Sequence, residues 1–174
     1  CVIFILLFYL GLSLCHEQAV AGGKLIGSSG VSQREGSAGG GLVPWATITG
    51  YGTRDEQSTT IFSSFVDVDD YKMRAFGLAH GFNNRIEISA ARLEVKTKDD
   101  DSELKANILG LKVRLMGDLM FTPWPQVALG AQYKHGLNPN ALNASSDSAG
   151  YDVYIAATKV WLDGPFHRNV VVNT

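Results

Sequence analysis

The feature that most constrains the fold of this chain is a recurrent two-residue alternation of apolar and polar side chains. In the segment LGLKVRLMG, residues 109–117, the odd positions are apolar: Leu109, Leu111, Val113 and Leu115. Lys112 and Arg114 lie between them. Because successive side chains of a β-strand point to opposite faces, the segment predicts a strand with one apolar and one positively charged face. In a soluble sheet the apolar face covers a core; in a membrane barrel it meets lipid and the charges face the lumen.

The same alternation recurs along the chain, whereas no segment has a sustained helical period. It is clear in YKMRAFGLAHG (71–81), NRIEISA (84–90) and QVALGAQYK (126–134). Four further segments are strand-like, but their apolar and polar side chains separate less clearly onto two faces: ATITGYG (46–52), TTIFSSFV (59–66), YDVYIAATKVWL (151–162) and NVVVN (169–173). With their flanks these segments are roughly 9–12 residues long, which is close to the length of a tilted transmembrane strand.

Loop lengths add a second constraint. The longest polar connections start at Lys96 and His135 and are separated by tighter turns, as in a barrel with short turns at one rim and long loops at the other. If the chain enters the barrel from the periplasmic side, the long external loops must follow odd-numbered strands. Counted from Val43, they follow the fourth and sixth strands, so we predict one earlier strand from Lys24. The prediction is an all-β, antiparallel up-and-down transmembrane β-barrel with about nine strands here. We expect the chain to be truncated at both ends. It begins without an initiator Met, and it ends in the strand-like NVVVNT without a turn, although bacterial single-chain barrels have even strand numbers.

The first 21 residues predict a signal peptide. Residues 1–14 are apolar and uncharged, and this run is shorter than the roughly 20 residues of a transmembrane helix. Ala19 and Ala21 supply a small-x-small cleavage pattern, so cleavage is predicted after Ala21; the alternative is a buried element of the mature fold. Cys1 and Cys15 both precede this site, which leaves the mature chain without thiols, as suits an oxidising compartment.

The predicted domain therefore covers residues 22–174, with the outer membrane as its location. Its expected partners are the lipid bilayer and lipopolysaccharide, with small solutes as candidates for passage. The formal net charge of −2 is spread along the chain without the basic stripe that a nucleic-acid binder needs.

No motif predicts catalysis, a cofactor or a metal. The spacing of a nucleophile elbow is absent, and His80, His135 and His167 are scattered without metal-ligand spacing. The acidic stretch KDDDSE (98–103) lacks the alternate-residue spacing of a calcium loop and is interpreted as a solvated loop. We expect no enzyme.

If lipid covers the apolar faces, charged side chains line the lumen. The predicted lumen-lining residues are Lys72, Arg74, Glu87, Lys112, Arg114, Lys134 and Lys159. Such a basic lumen would favour anions, because rings of charge set selectivity. The alternative is a plugged small barrel in which these cations pair with acids.

Three segments carry a family resemblance: GGGLVPWATITGYGTRDE (39–56), VALGAQYK (127–134) and AATKVWLDGPFHRN (156–169). They resemble a proteobacterial family catalogued as domain of unknown function 3034, over most of the chain from about Gly22. The resemblance implies an outer-membrane β-barrel fold and location, and it implies no activity.

Two rival functions remain open at this point. An exported soluble ligand-binding β-barrel would have an apolar interior pocket and an exposed Lys112. An outer-membrane lipase would need a serine and a histidine close together on one wall, with His80 as the candidate.

Overall fold

The computed structural model describes residues 32–98, 103–137, 149–164 and 167–174, and their strands form one antiparallel sheet. The strands are β1 (Gln57–Asp67), β2 (Tyr71–Phe82), β3 (Ile86–Thr97), β4 (Glu103–Met116), β5 (Gln126–Gly136), β6 (Ala149–Gly164) and β7 (Arg168–Asn173). They pair strictly in chain order, and the sheet curls into a half-barrel without helices among the described residues. The described part of the chain contains no helix of the length and apolarity needed to cross a membrane.

The all-β antiparallel prediction is confirmed, but the described residues form seven strands, not the nine predicted. The ATITGYG segment, residues 46–52, alternates like a strand and is not one. Its backbone NH groups at Ala46 and Thr49 donate to side chains of the sheet instead of to a strand ladder, and Gly50 turns the chain with a φ of 74°. Of the predicted earlier strand from Lys24, residues 24–31 lie outside the described residues, as does the predicted signal peptide, and 32–36 form no strand.

The connections separate into two ends of the sheet. The connections 68–70, 98–102 and 137–148 join strands at one end, which we call the loop end. The connections 83–85, 117–125 and 165–167 join them at the other, the turn end. Both long polar connections therefore follow odd-numbered strands, β3 and β5, and no additional strand is needed to explain their parity.

The convex face of the sheet is apolar and exposed. Registered pairs place Leu78, Ala90, Leu109, Tyr133 and Tyr151 in one row across five strands. The next row contains Ile88, Leu111, Ala131 and Val153, and the one after it Ile86, Val113, Leu129 and Ile155. Leu111 is 49% exposed, and most of the large side chains in these rows are similarly open. The predicted apolar face of β4 is thus the convex one.

The concave face is buried and carries polar and small side chains. Its buried residues include Glu87, Ser89, Lys112, Gln126, Gln132 and Thr158, among alanines such as Ala75, Ala79, Ala128 and Ala156. A soluble barrel normally places its apolar residues inside, because their removal from water drives folding. This half-barrel has the reverse arrangement, with charge inside and leucine outside.

Candidate functional site

The concave face holds a segment of the same chain. Residues 32–50, called the inner segment here, precede β1 and fold into turns with isolated bridges between Ser32 and Ala38 and between Gly39 and Pro44. Its residues from Ala46 to Gly50 are all buried. The inner segment lies in the half-barrel where a lumen was predicted, so its contacts define the candidate site.

A buried ion pair fixes the inner segment at its centre. Glu87 on β3 and Lys112 on β4 are opposite each other in the register, and their side chains are each 1% exposed, with Nζ 3.1 Å from Oε1. The Glu87 carboxylate accepts the backbone NH of Ala38 at 3.0 Å and that of Thr49 at 2.7 Å. The Lys112 ammonium donates to the carbonyls of Ala38 (3.0 Å) and Trp45 (3.2 Å). All three ammonium donors therefore have an acceptor, which a buried charge requires.

Side chains from other strands bind the rest of the inner segment. Gln126 on β5 donates to the carbonyl of Ala46 at 2.6 Å, and Thr158 on β6 accepts the NH of the same residue at 2.8 Å. Asn173 on β7 donates to the carbonyl of Pro44 at 3.3 Å. Ser58 on β1 donates to the carbonyl of Thr49 at 2.8 Å. Because these bonds satisfy backbone groups that form no ladder, they replace the hydrogen bonds that a strand would have supplied.

The close fit depends on small residues in the sheet. A Cβ added to Gly81 on β2 would lie 2.8 Å from the carbonyl oxygen of Thr49 and 2.9 Å from the side chain of Ile48. In the inner segment, Gly36 has a φ of 105°, and a Cβ there would lie 3.1 Å from that of Ala91. Larger residues at either position would push the inner segment away from the wall.

Four of the seven predicted lumen residues lie on the concave face: Glu87, Lys112, Arg114 and Lys134. Each cation among them has an acidic partner. Lys134 contacts Glu35 of the inner segment at 2.7 Å and Asp152 on β6 at 2.8 Å. Arg114 reaches Asp118 at 3.5 Å. Each of the predicted cations on this face is therefore paired with a carboxylate.

The remaining three side chains lie on the other face of the sheet. Lys72 and Arg74 lie on the convex face, because Ala75 and Ala79 on the same strand fill the buried one. A period of two does not by itself show which face of β2 points inward. Lys159 alternates with the inward Thr158, and its ammonium donates to the carbonyl of Thr122 in the β4–β5 connection.

Sequence reasoning missed the inner segment and most of its anchors. Gln126, Thr158 and Asn173 are uncharged, and no motif distinguishes them from solvent-facing polar residues. The available signal was the cluster of glycines from Gly36 to Gly41, which a strand tolerates poorly and a tightly packed, turning segment favours.

Asp118 is the second residue of the β4–β5 connection at the turn end and stabilises it. Its Oδ1 accepts the backbone NH groups of Met120 and Phe121 at 3.0 and 3.1 Å. Partial burial acts to raise the pKa of the Asp118 carboxyl, but these two hydrogen bonds and the charges of Arg114 and Lys159 lower it below its usual value.

Acid should therefore weaken the fold through this carboxylate. A carboxyl group whose pKa is lowered in the folded state stabilises it above the unfolded pKa and loses that contribution as pH falls through the folded value. We expect unfolding of the Asp118→Asn variant in urea to depend less on pH below about 4 than unfolding of the wild type. Identical pH dependences would contradict the role assigned to Asp118.

The described residues contain no group of three or more His, Cys, Asp or Glu side chains suited to a metal ion. His80 on β2 is engaged with Thr59, whose hydroxyl lies 2.7 Å from Nδ1, and with Gln57.

Comparison with known proteins gives one match. A family model described as "Protein of unknown function (DUF3034)" matches residues 28–174, which includes the inner segment and all seven strands. No curated protein and no solved structure matches the chain.

Proposed function

Since the chain belongs to the DUF3034 family of proteins of unknown function, we propose a function from its surfaces: it is the wall of an outer-membrane β-barrel whose interior is occupied by its own inner segment. The barrel is a structural envelope protein, without an enzymatic role. It contacts the lipid bilayer and lipopolysaccharide through its convex face. The observation that carries this proposal is the reversed polarity of the two faces.

The reversed polarity favours lipid as the solvent of the convex face. Leu109, Leu111 and Leu115 on β4 are about half exposed, while Lys112 between them is 1% exposed. Exposed apolar surface on this scale is unfavourable in water and favourable in hydrocarbon. In a membrane the backbone groups must also be paired within the protein, as the ladders between consecutive strands pair them here.

The height of the apolar band agrees with a bilayer. Tyr151 and Trp161 are exposed near the two ends of β6, ten positions apart. Ten residues span roughly 33 Å of strand, or about 25 Å of membrane when the strand is tilted by about 40°. Tyr133 packs against Tyr151 with ring centroids 5.0 Å apart, as in the aromatic belts at membrane interfaces.

Beyond this band, toward the loop end, the convex face becomes more polar on β3 to β5, while β1 and β2 still carry the exposed Phe65 and Phe76 in the same rows. One row contains Arg92, Asn107 and His135, and the next contains Arg74, Glu94 and Lys105. We interpret these rows as the part of the strands that extends past the hydrocarbon into the headgroups and water.

The rival soluble ligand-binding barrel is less favoured. It requires an apolar interior pocket with Lys112 exposed, whereas Lys112 is buried against Glu87 and the inner segment. The lipase rival has little support, since the described neighbours of His80 include Thr59 and no serine hydrogen-bonded to its ring.

The localisation is tested by expressing the protein from its complete gene and fractionating the envelope. We expect the protein in the outer-membrane fraction, with a gel mobility that changes on boiling because a closed barrel resists detergent until it is heated. Release with the soluble periplasmic proteins and no change on boiling would contradict the membrane proposal.

A passive channel is the second candidate, and conductance distinguishes it from a closed barrel. In planar bilayers we expect the intact protein to carry no steady ion current, because the inner segment fills the concave face with hydrogen bonds already satisfied. A variant lacking residues 38–49 that still shifts on boiling should conduct. A steady current through the intact protein would contradict the closed barrel and favour the channel.

A further inference from the structure

The turn end carries an open polar pocket that the proposed function does not use. Its volume is about 760 Å³, and it is formed by the residues before β1, the β2–β3 turn and the end of β4. The polar lining consists of Arg54, Asp55, Asn83, Asn84, Arg85 and the Arg114–Asp118 pair, beside the exposed apolar residues Leu115 and Met116. Three arginines therefore face two aspartates across one cavity.

The charges in this pocket are not all compensated. Arg114 donates through Nη2 to the carbonyl of Gly117 at 2.6 Å and to Asp118, whose other oxygen is held by backbone NH groups. Arg54 and Arg85 are exposed and form no ion pair with any residue in the described ranges, and neither does Asp55. The pocket thus has two available guanidinium groups against one available carboxylate.

The β2–β3 turn forms one wall of the pocket. Asn83 and Asn84 both have a φ of 51°, the left-handed conformation that asparagine tolerates better than most residues and that tight hairpin turns require. The same turn brings the exposed Arg85 to the pocket lining.

We propose that this pocket binds a phosphate ester. The guanidinium groups of Arg54 and Arg85 bind the phosphate oxygens, because a planar guanidinium matches phosphate geometry with paired hydrogen bonds. Leu115 and Met116 offer apolar contact to whatever carbon chain the ester bears.

A soluble metabolite and a phospholipid headgroup share this chemistry. The inference goes beyond the proposed barrel function, because the pocket is built from turns that exist whichever solvent covers the convex face. Its failure would leave the membrane assignment intact, and that assignment has its own test in fractionation and heat-shifted mobility.

The test is a calorimetric titration of the full-length protein in phosphate-free detergent micelles. One probe is glycerol 3-phosphate and the other is dihexanoyl phosphatidylglycerol, a short-chain lipid. We expect saturable binding of at least one probe and a loss of about tenfold in affinity in Arg85→Gln, as removal of one charge-assisted hydrogen bond predicts. Binding of both probes would show that a soluble phosphate ester is sufficient for binding. Binding of the lipid alone would show that the ligand is a phospholipid.

A matched control variant sharpens the result. Arg74→Gln removes an exposed arginine at the opposite end of the sheet and should leave the affinity unchanged. The proposal is overturned if neither probe binds saturably, or if Arg74→Gln weakens binding as much as Arg85→Gln.

Discussion

Replacing Lys112 with methionine is expected to destabilise the protein by about 3–5 kcal/mol, because it leaves the Glu87 carboxylate buried without its cation. The substitution also removes the donor from the carbonyls of Ala38 and Trp45, so the inner segment loses its central attachment. The effect should appear as a lower urea midpoint for unfolding from micelles. The double variant Glu87→Gln/Lys112→Met should be less destabilised than the sum of the two single variants, because no charge then remains unpaired.

Lys105→Met is the matched control on the same strand. Lys105 pairs with Glu103 at the loop end, where both side chains are partly exposed to solvent, and such pairs contribute about 0–1 kcal/mol. A Lys112→Met variant no less stable than Lys105→Met would contradict the view that this ion pair holds the inner segment.

Replacing Leu111 with arginine is expected to destabilise the folded protein by about 2–4 kcal/mol in lipid vesicles, since a charge then faces the hydrocarbon. In water the same substitution at a half-exposed position would cost no more than about 0.5 kcal/mol. The size of the destabilisation therefore shows whether lipid or water covers the convex face. Reversible unfolding by guanidinium in vesicles gives the free energy for each variant.

Asn107→Arg provides the comparison on the same strand and the same face. Asn107 lies in the polar row beyond the apolar band, beside Arg92 in the register. An arginine there should reach water and headgroups and change the stability little. Equal small effects at both positions would indicate that water covers the whole convex face.

The strands were predictable because their alternation is a local property of the chain. In β4 and β5, leucines and valines alternate with glycine, lysine and glutamine over nine or more residues, and both strands were identified with the correct face outward. In β2 the same period was predicted, but Lys72 and Arg74 lie on the exposed face near the loop end, because Ala75 and Ala79 occupy the buried one. Alternation fixes the period; the assignment of faces depends on what the neighbouring strands bury.

The inner segment was not predictable from such local patterns. Residues 46–52 alternate as a strand does, yet their backbone partners are side chains that lie far away in the sequence, on β3 and β6. Only the fold brings Glu87 opposite Lys112 and both against Ala38. The mutual neutralisation of the predicted lumen charges is likewise a tertiary effect, which no single segment encodes.

The most direct test of the central claim is to measure whether lipid or water surrounds residue 111. The chain after residue 21 contains no cysteine, so a single nitroxide label at Leu111→Cys is specific, with Asn107→Cys as its counterpart on the polar row. In vesicles we predict that the label at position 111 collides more often with oxygen, which partitions into hydrocarbon, than with a water-soluble nickel chelate, and that position 107 shows the opposite preference. A label at 111 that is more accessible to the nickel chelate would contradict the membrane-facing assignment of the convex face.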